Sequence, residues 1–259
     1  MRAILAAVLL GVAAGTATAD GAPAALVAVV IDDVGDRLEA GERTVDLPGP
    51  VACAFLPHTP HAERLAVRAH EQGKEVLLHQ PMQAVTHNEL LGPGAVTLEM
   101  TEPQFLRTLR ENLLALPYVS GINNHMGSLL TRHPGHMTWL MEELQRQGGL
   151  YYIDSRTTHH TVAQRMADEV GVPAGRRHVF LDNRRDTGAI RAQFRTLVRT
   201  AKRQGYALAI GHPYPETLAV LEAEIPKLAE AGVRLVPVRT LLSASYKRRT
   251  EQWQASWSR

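Results

Sequence analysis

The sequence predicts an α/β fold of parallel strands and surrounding helices, and three observations carry that expectation. Short runs rich in Val, Ile and Leu recur along the chain, as strands buried on both faces require. Longer amphipathic stretches separate these runs, giving seven or eight strand–helix units. Polar residues suited to metals and proton transfer stand immediately after the apolar runs, where the strand ends of a β/α barrel share one mouth. The 259 residues, 45% hydrophobic and 21% charged, suffice for one domain with a full core.

Taken in order, residues 1–19 read as a secretory signal, with Arg2 at the positive start, an apolar stretch over 4–14 and small residues at Ala17-Thr18-Ala19. The apolar part is shorter than the ~20 residues of a spanning helix. Cleavage would leave no transmembrane segment, a domain over 20–245 and an exported product, periplasmic or secreted. Strands are expected at 26–31, 51–55, 75–78, 119–122, 150–153, 178–181, 207–210 and 234–236. Helices are expected at 61–72, 102–115, 136–147, 189–204 and 215–231, several closed by a following glycine. Thr101-Glu102-Pro103-Gln104 starts the second of them, because Thr and Gln can satisfy each other's backbone amides and Pro suits the first turn. Residues 80–96 form a long connection without period, of the kind that is functional or mobile. Residues 246–259, basic and carrying Trp253 and Trp257, read as a flexible solvated tail.

The formal charge is +2, and losing Arg2 with the signal leaves 27 Lys and Arg against 26 Asp and Glu, about +1. That balance gives no footing for a nucleic-acid partner. The single Cys53 can form no internal disulfide and reads as a small buried apolar residue.

The chemistry gathers at strand ends. The first strand runs into Asp32-Asp33, two adjacent carboxylates that are costly beside buried sequence unless paired, hydrogen-bonded or bound to a cation. A lone Asp there would more often cap a helix; the pair favours a functional site. His79 follows the third strand, Asn124 and His125 the fourth, Asp154 and Arg156 the fifth, Asp182 the sixth and His212 the seventh. A mixed Asp/His set suits zinc and other borderline divalent ions. One geometric condition follows: neighbours in a strand point to opposite faces, so Asp32 and Asp33 can serve one ion only if the strand ends or twists by Ile31. Val34-Gly35 permits such a turn. Arg156 is placed to orient Asp154 or Asp182 by a bidentate pair, and Tyr214 to offer a stacking face to a sugar. No glycine-rich phosphate loop is present.

Ile31-Asp32-Asp33, the run from Gly73 to Met82, Asn123-Asn124-His125-Met126-Gly127-Ser128 and Gly211-His212-Pro213 together resemble the divergent polysaccharide deacetylase family, relatives of the NodB-like carbohydrate esterases. The resemblance spans about residues 26–242. It implies a distorted seven-stranded β/α barrel and removal of acetyl groups from an amino-sugar polysaccharide of the cell envelope, with a divalent metal, zinc first. It also implies roles: Asp32 as base, Asp33 and His79 as metal ligands, His212 as acid and Asp154 as its supporting carboxylate. The paired histidines of the ordinary deacetylases map to His79 and Gln83, so the second ligand is missing. His125 is the candidate replacement and His61, in Pro60-His61-Ala62, the second choice. Asn124, Arg156, Asp182 and Tyr214 are expected on the substrate side. The competing expectation is a glycan-binding or envelope-assembly protein that keeps the barrel without turnover.

Overall fold

The computed structural model describes residues 24–257, so the expected signal segment lies outside the described residues. The strands are β1 (Ala25–Val34), β2 (Ala52–Phe55), β3 (Val76–Met82), β4 (Val119–Met126), β5 (Tyr151–Asp154), β6 (Ala174–Arg176), β7 (Val179–Phe180), β8 (Tyr206–Gly211) and β9 (Val233–Leu235). The helices are α1 (Leu38–Val45), α2 (Ala62–Glu71), α3 (Glu102–Leu114), α4 (Pro134–Gln147), α5 (Ala163–Val170), α6 (Thr187–Gln204), α7 (Pro215–Glu224) and α8 (Val238–Trp257). The sheet runs β6-β5-β4-β3-β2-β1-β8-β7, with β9 added to β1, and its strand pairs are parallel. The expected distorted barrel is therefore present as a curled, incomplete one whose edges are β6 and β7. Only Arg177 and His178 separate those edges in sequence.

Alternation along the strands explains the two cores. Val27, Val29, Ile31, Cys53, Phe55, Val76, Leu78, Ile122 and Tyr152 belong to the large cluster beneath the outer helices. Ala28, Val30, Ala52, Ala54, Leu77, Tyr151, Ile153, Leu208 and Ile210 form the second cluster, together with Leu241 and Leu242 of α8. The final helix thus packs against the inner face of the sheet. Glu75 seats its start by accepting the backbone N–H groups of Val238 and Arg239. A Cβ on Gly175 would lie 2.5 Å from Leu242 Cδ2, so glycine is required where α8 crosses β6. Burial pushes the Cys53 thiol up to about 12, which fits its reading as an inert apolar residue.

The basic terminal segment continues α8 as helix through Trp257. Its Lys, Arg, Glu, Gln and Ala residues are good helix formers, and Thr250 satisfies its hydroxyl on the Tyr246 carbonyl one turn back. The capping box at Thr101 forms as expected, with the Thr101 N–H donating to Gln104 Oε1 at 2.9 Å.

His178, at the open seam, is a structural group. Its backbone N–H donates to the Leu208 carbonyl at 2.9 Å, and its Nδ1 accepts the Leu208 N–H at 3.1 Å, which requires a neutral ring. Burial, helped by Arg176 and Arg156, pushes its pKa down to about 4. An unfolded histidine titrates near 6.5, so the unfolded chain takes up the proton first as pH falls. Stability is expected to drop between pH about 6.5 and about 4, by on the order of 1–3 kcal/mol after allowance for partial exposure. Denaturant unfolding of wild type and His178→Gln across that window should show a flatter profile in the variant. Equal slopes would refute the assignment.

Candidate metal centre and active site

The second Asp reaches the site through a local backbone device. The β1–β2 register shifts between Ile31 and Val34, and Asp33 takes a left-handed conformation with φ 54°. Regular alternation would turn Asp33 to the face opposite Asp32, whereas the bulge returns it to the inner side. Asp is among the few side chains that tolerate this conformation. The sequence placed the necessary turn at Val34-Gly35. Gly35 does have φ 122°, but its role is close approach, since a Cβ there would stand 2.2 Å from Thr59 Oγ1.

Three ligand atoms converge. Asp33 Oδ1 lies 3.0 Å from His125 Nδ1 and 3.2 Å from His79 Nε2, and one donor atom from each of these residues falls within 4.8 Å of the others. Each ring's other nitrogen faces an amide oxygen: His79 Nδ1 is 2.8 Å from Asn123 Oδ1, and His125 Nε2 is 3.4 Å from the Leu90 carbonyl. In the neutral rings this leaves the inward nitrogens with the lone pairs, the state a ligating histidine needs. Asp33 Oδ1 is buried with no hydrogen-bond partner, although two ring nitrogens stand beside it. An orphaned carboxylate oxygen between two imidazoles fits a divalent cation. His61 is not in the group. It precedes α2, where its backbone N–H donates to the Gly35 carbonyl at 2.9 Å.

With protein charges alone acting, burial raises Asp32 above the ordinary carboxylate value, partly offset by His79, His212 and the Asn123 hydrogen bond. Burial would raise Asp33 too, but His125 and His79 outweigh it and hold the group well below that value. His79 is held up to about 9, because Asp32 and Asp33 overcome the opposing effect of burial. Asp32 Oδ2 stands 3.7 Å from His79 Nε2, on the flank of the ligand group.

On another flank lies His212. Asp182 accepts from its backbone N–H at 2.6 Å, sits 3.0 Å from Nδ1 through its other oxygen, and accepts the Thr217 hydroxyl at 2.8 Å. Nε2 therefore faces the site, 3.8 Å from Asp33 Oδ2. Burial would lower the His212 pKa, but Asp182 raises it by hydrogen bond and charge, with Asp32 and Asp33 adding to it.

Several expected roles are corrected. Asp182, not Asp154, supports His212; Asp154 lies at alternating parity to Ile153, away from the inner row, and accepts the Arg156 N–H at 2.8 Å. Among the described residues no ion pair joins Arg156 to Asp154 or Asp182; its carbonyl instead accepts from Arg177 at 3.0 Å. Asn124 braces the strand end, since its amide donates to the Met126 carbonyl and its oxygen accepts from Tyr152 and from the Ser155 N–H. Tyr214 lines a cleft of about 390 Å³ with Asp33, Arg37, Arg185, His212 and Glu216. One face of its ring is covered by the Arg185 guanidinium, 3.6 Å from the centroid.

Two site residues escaped the sequence reading, Asn123 and Arg185. Asn123 was within reach of alternation, which sets it with His125 and apart from Asn124. The long connection after β3 is pinned rather than loose: Gln83 N–H donates to the Val96 carbonyl, and Asn88 clips both backbone groups of Ala84. It brings the Leu90 carbonyl to His125.

Comparison with known proteins gives the family and the fold. A family model described as divergent polysaccharide deacetylase matches residues 29–242. The YibQ protein of Escherichia coli is 38% identical over 216 residues, covering 83% of this chain and 67% of that protein. A crystal structure of a protein from Agrobacterium tumefaciens has a TM-score of 0.81 at 21% identity, covering 86% of this chain and 91% of that one. The peptidoglycan deacetylase PdaC of Bacillus subtilis shares the fold more distantly, with a TM-score of 0.54 at 11% identity and coverage of 90% and 98%. The family match runs from within β1 into α8 and takes in each ligand and proton-transfer candidate, so this chain belongs to the divergent polysaccharide deacetylase family.

Proposed function

We propose that this protein is an exported, divalent-metal-dependent hydrolase that removes acetyl groups from amino sugars of an envelope polysaccharide. The observation that carries the reading is the unpartnered Asp33 Oδ1 between His79 and His125, flanked by Asp32 and by the Asp182-supported His212. Two nitrogens and one carboxylate oxygen favour zinc. Such an ion, when bound, supplies Lewis acidity toward an acyl carbonyl and water.

The protein's own groups divide the proton transfers. Asp32, ionised, accepts a proton from the attacking water, and burial raises its basicity above that of a free carboxylate. His212 Nε2 delivers a proton to the departing amine, while Asp182 keeps the ring oriented and favours its protonated form. Acetate and a free amino sugar result. The family membership and the fold shared with a peptidoglycan deacetylase support an amino-sugar glycan as substrate. The signal-like residues 1–19 support export.

Gln83, at the register where ordinary deacetylases carry their second histidine, favours a second reading: a glycan-binding protein without turnover. Acetate release from acetylated chitin or peptidoglycan fragments separates the two. The hydrolase reading expects release that stops on chelation and returns with zinc. Glycan retention by a zinc-loaded protein that releases no acetate would establish the binding protein instead.

A further inference from the structure

Asn123 is fully buried on β4 and is the register partner of His79 on β3. Its Nδ2 donates to Asp32 Oδ1 at 2.6 Å, with a longer contact of 3.4 Å to Ser155 Oγ, and its Oδ1 stands 2.8 Å from His79 Nδ1. An amide has one donor end and one acceptor end, so these contacts are not interchangeable. An ionised carboxylate only accepts; it therefore fixes the NH₂ end of Asn123 toward Asp32. The carbonyl end is then committed to His79 and can only accept, so Nδ1 must carry the hydrogen, and in the neutral ring Nε2 is the nitrogen left with a lone pair for a metal.

We propose that Asn123 is a positioning residue that couples the base to the metal ligand: one planar amide fixes both the orientation of Asp32 and the tautomer of His79. The inference rests on the metal-hydrolase reading of the site. It goes further in making the two halves of the chemistry depend on one side chain that contacts neither the acyl group nor the ion. A buried amide with both ends engaged resists rotation, because turning it over would set carbonyl against carboxylate and leave His79 Nδ1 without an acceptor.

The two ends can be tested apart on the full chain. Asn123→Asp keeps an acceptor for His79 and replaces the neutral donor to Asp32 by a second carboxyl group that competes with it for a proton; Asn123→Ala loses both contacts. Zinc affinity is measured by competition with a chromophoric chelator, and the His79 ring state by nitrogen-correlated NMR of the zinc-loaded protein. Asn123→Ala is expected to bind zinc ~10–100-fold more weakly, the cost of losing a partner behind a ligand, and to lose the single Nδ1–H signature of His79. Asn123→Asp should keep that signature and bind zinc within about tenfold of wild type, while its acetate release falls as the hold on Asp32 is lost. Wild-type affinity and ring signature in Asn123→Ala would overturn the proposal, as would loss of the signature in Asn123→Asp while that variant remains folded. Should the wild type release no acetate, the hydrolase reading fails while the affinity and NMR results still decide the role of Asn123. Should the wild type bind no zinc, there is no ligand to position and the proposal is overturned together with the metal reading.

Discussion

Asp33→Ala, His79→Ala and His125→Ala are each expected to weaken zinc binding by more than about 100-fold, since even partners behind a metal ligand are worth ~10–100-fold. The three side chains come from a bulge in β1, from β3 and from β4, and each supplies one of the converging donor atoms. His61→Ala is the matched control, expected to leave affinity unchanged because His61 lies outside that group. Chelator competition on the four variants checks the set, and loss of zinc in His61→Ala or retention in the other three would replace it. Zinc binding at neutral pH should also release protons, because the two aspartates hold His79 protonated above its ordinary value and the ligating ring must be neutral. Affinity therefore rises with pH until His79 has lost its proton.

The strand rhythm and strand-end polar residues made the fold and most of the site legible. Asp32, His79, His125 and His212 each follow an apolar run, and alternation continues the inner rows of Val30, Leu77 and Ile210 onto Asp32, His79 and His212. The same parity separates Asn123 from Asn124 and moves Asp154 off the inner row, so both placements could be read from the sequence. Asp33 was named by its pairing with Asp32 and by the resemblance, not by parity, which sends it outward; a left-handed residue inside the strand brings it back. Asp182 needed the pairing of β7 with β8: Phe180 stands beside Ile210, and two residues on Asp182 meets His212. Strand registers between distant segments are set by the whole sheet, and a local run of residues does not encode them. The covering of Tyr214 by Arg185 is likewise a contact between loops that have no common pattern.

The largest effects on turnover are expected at the proton-transfer residues. Asp32→Asn and His212→Ala should each lower acetate release by ~10²–10⁴-fold while zinc remains bound, the usual worth of one general acid or base. Asp182→Asn discriminates the structural assignment from the one implied by resemblance, since Asp154→Asn should leave turnover per folded molecule near wild type. The pH profile gives a sharper test. Activity requires Asp32 ionised, so it is lost as pH falls through a value above the ordinary carboxylate range. It requires His212 protonated, so it is lost as pH rises through a value above that of a free imidazole. Asp182 is the chief group that lifts the second value against burial. In Asp182→Asn the alkaline limb should therefore move to lower pH while the acid limb stays near its place. A limb that does not move would mean that His212 is not the acid, and an equal shift in Asp154→Asn would restore the role to Asp154.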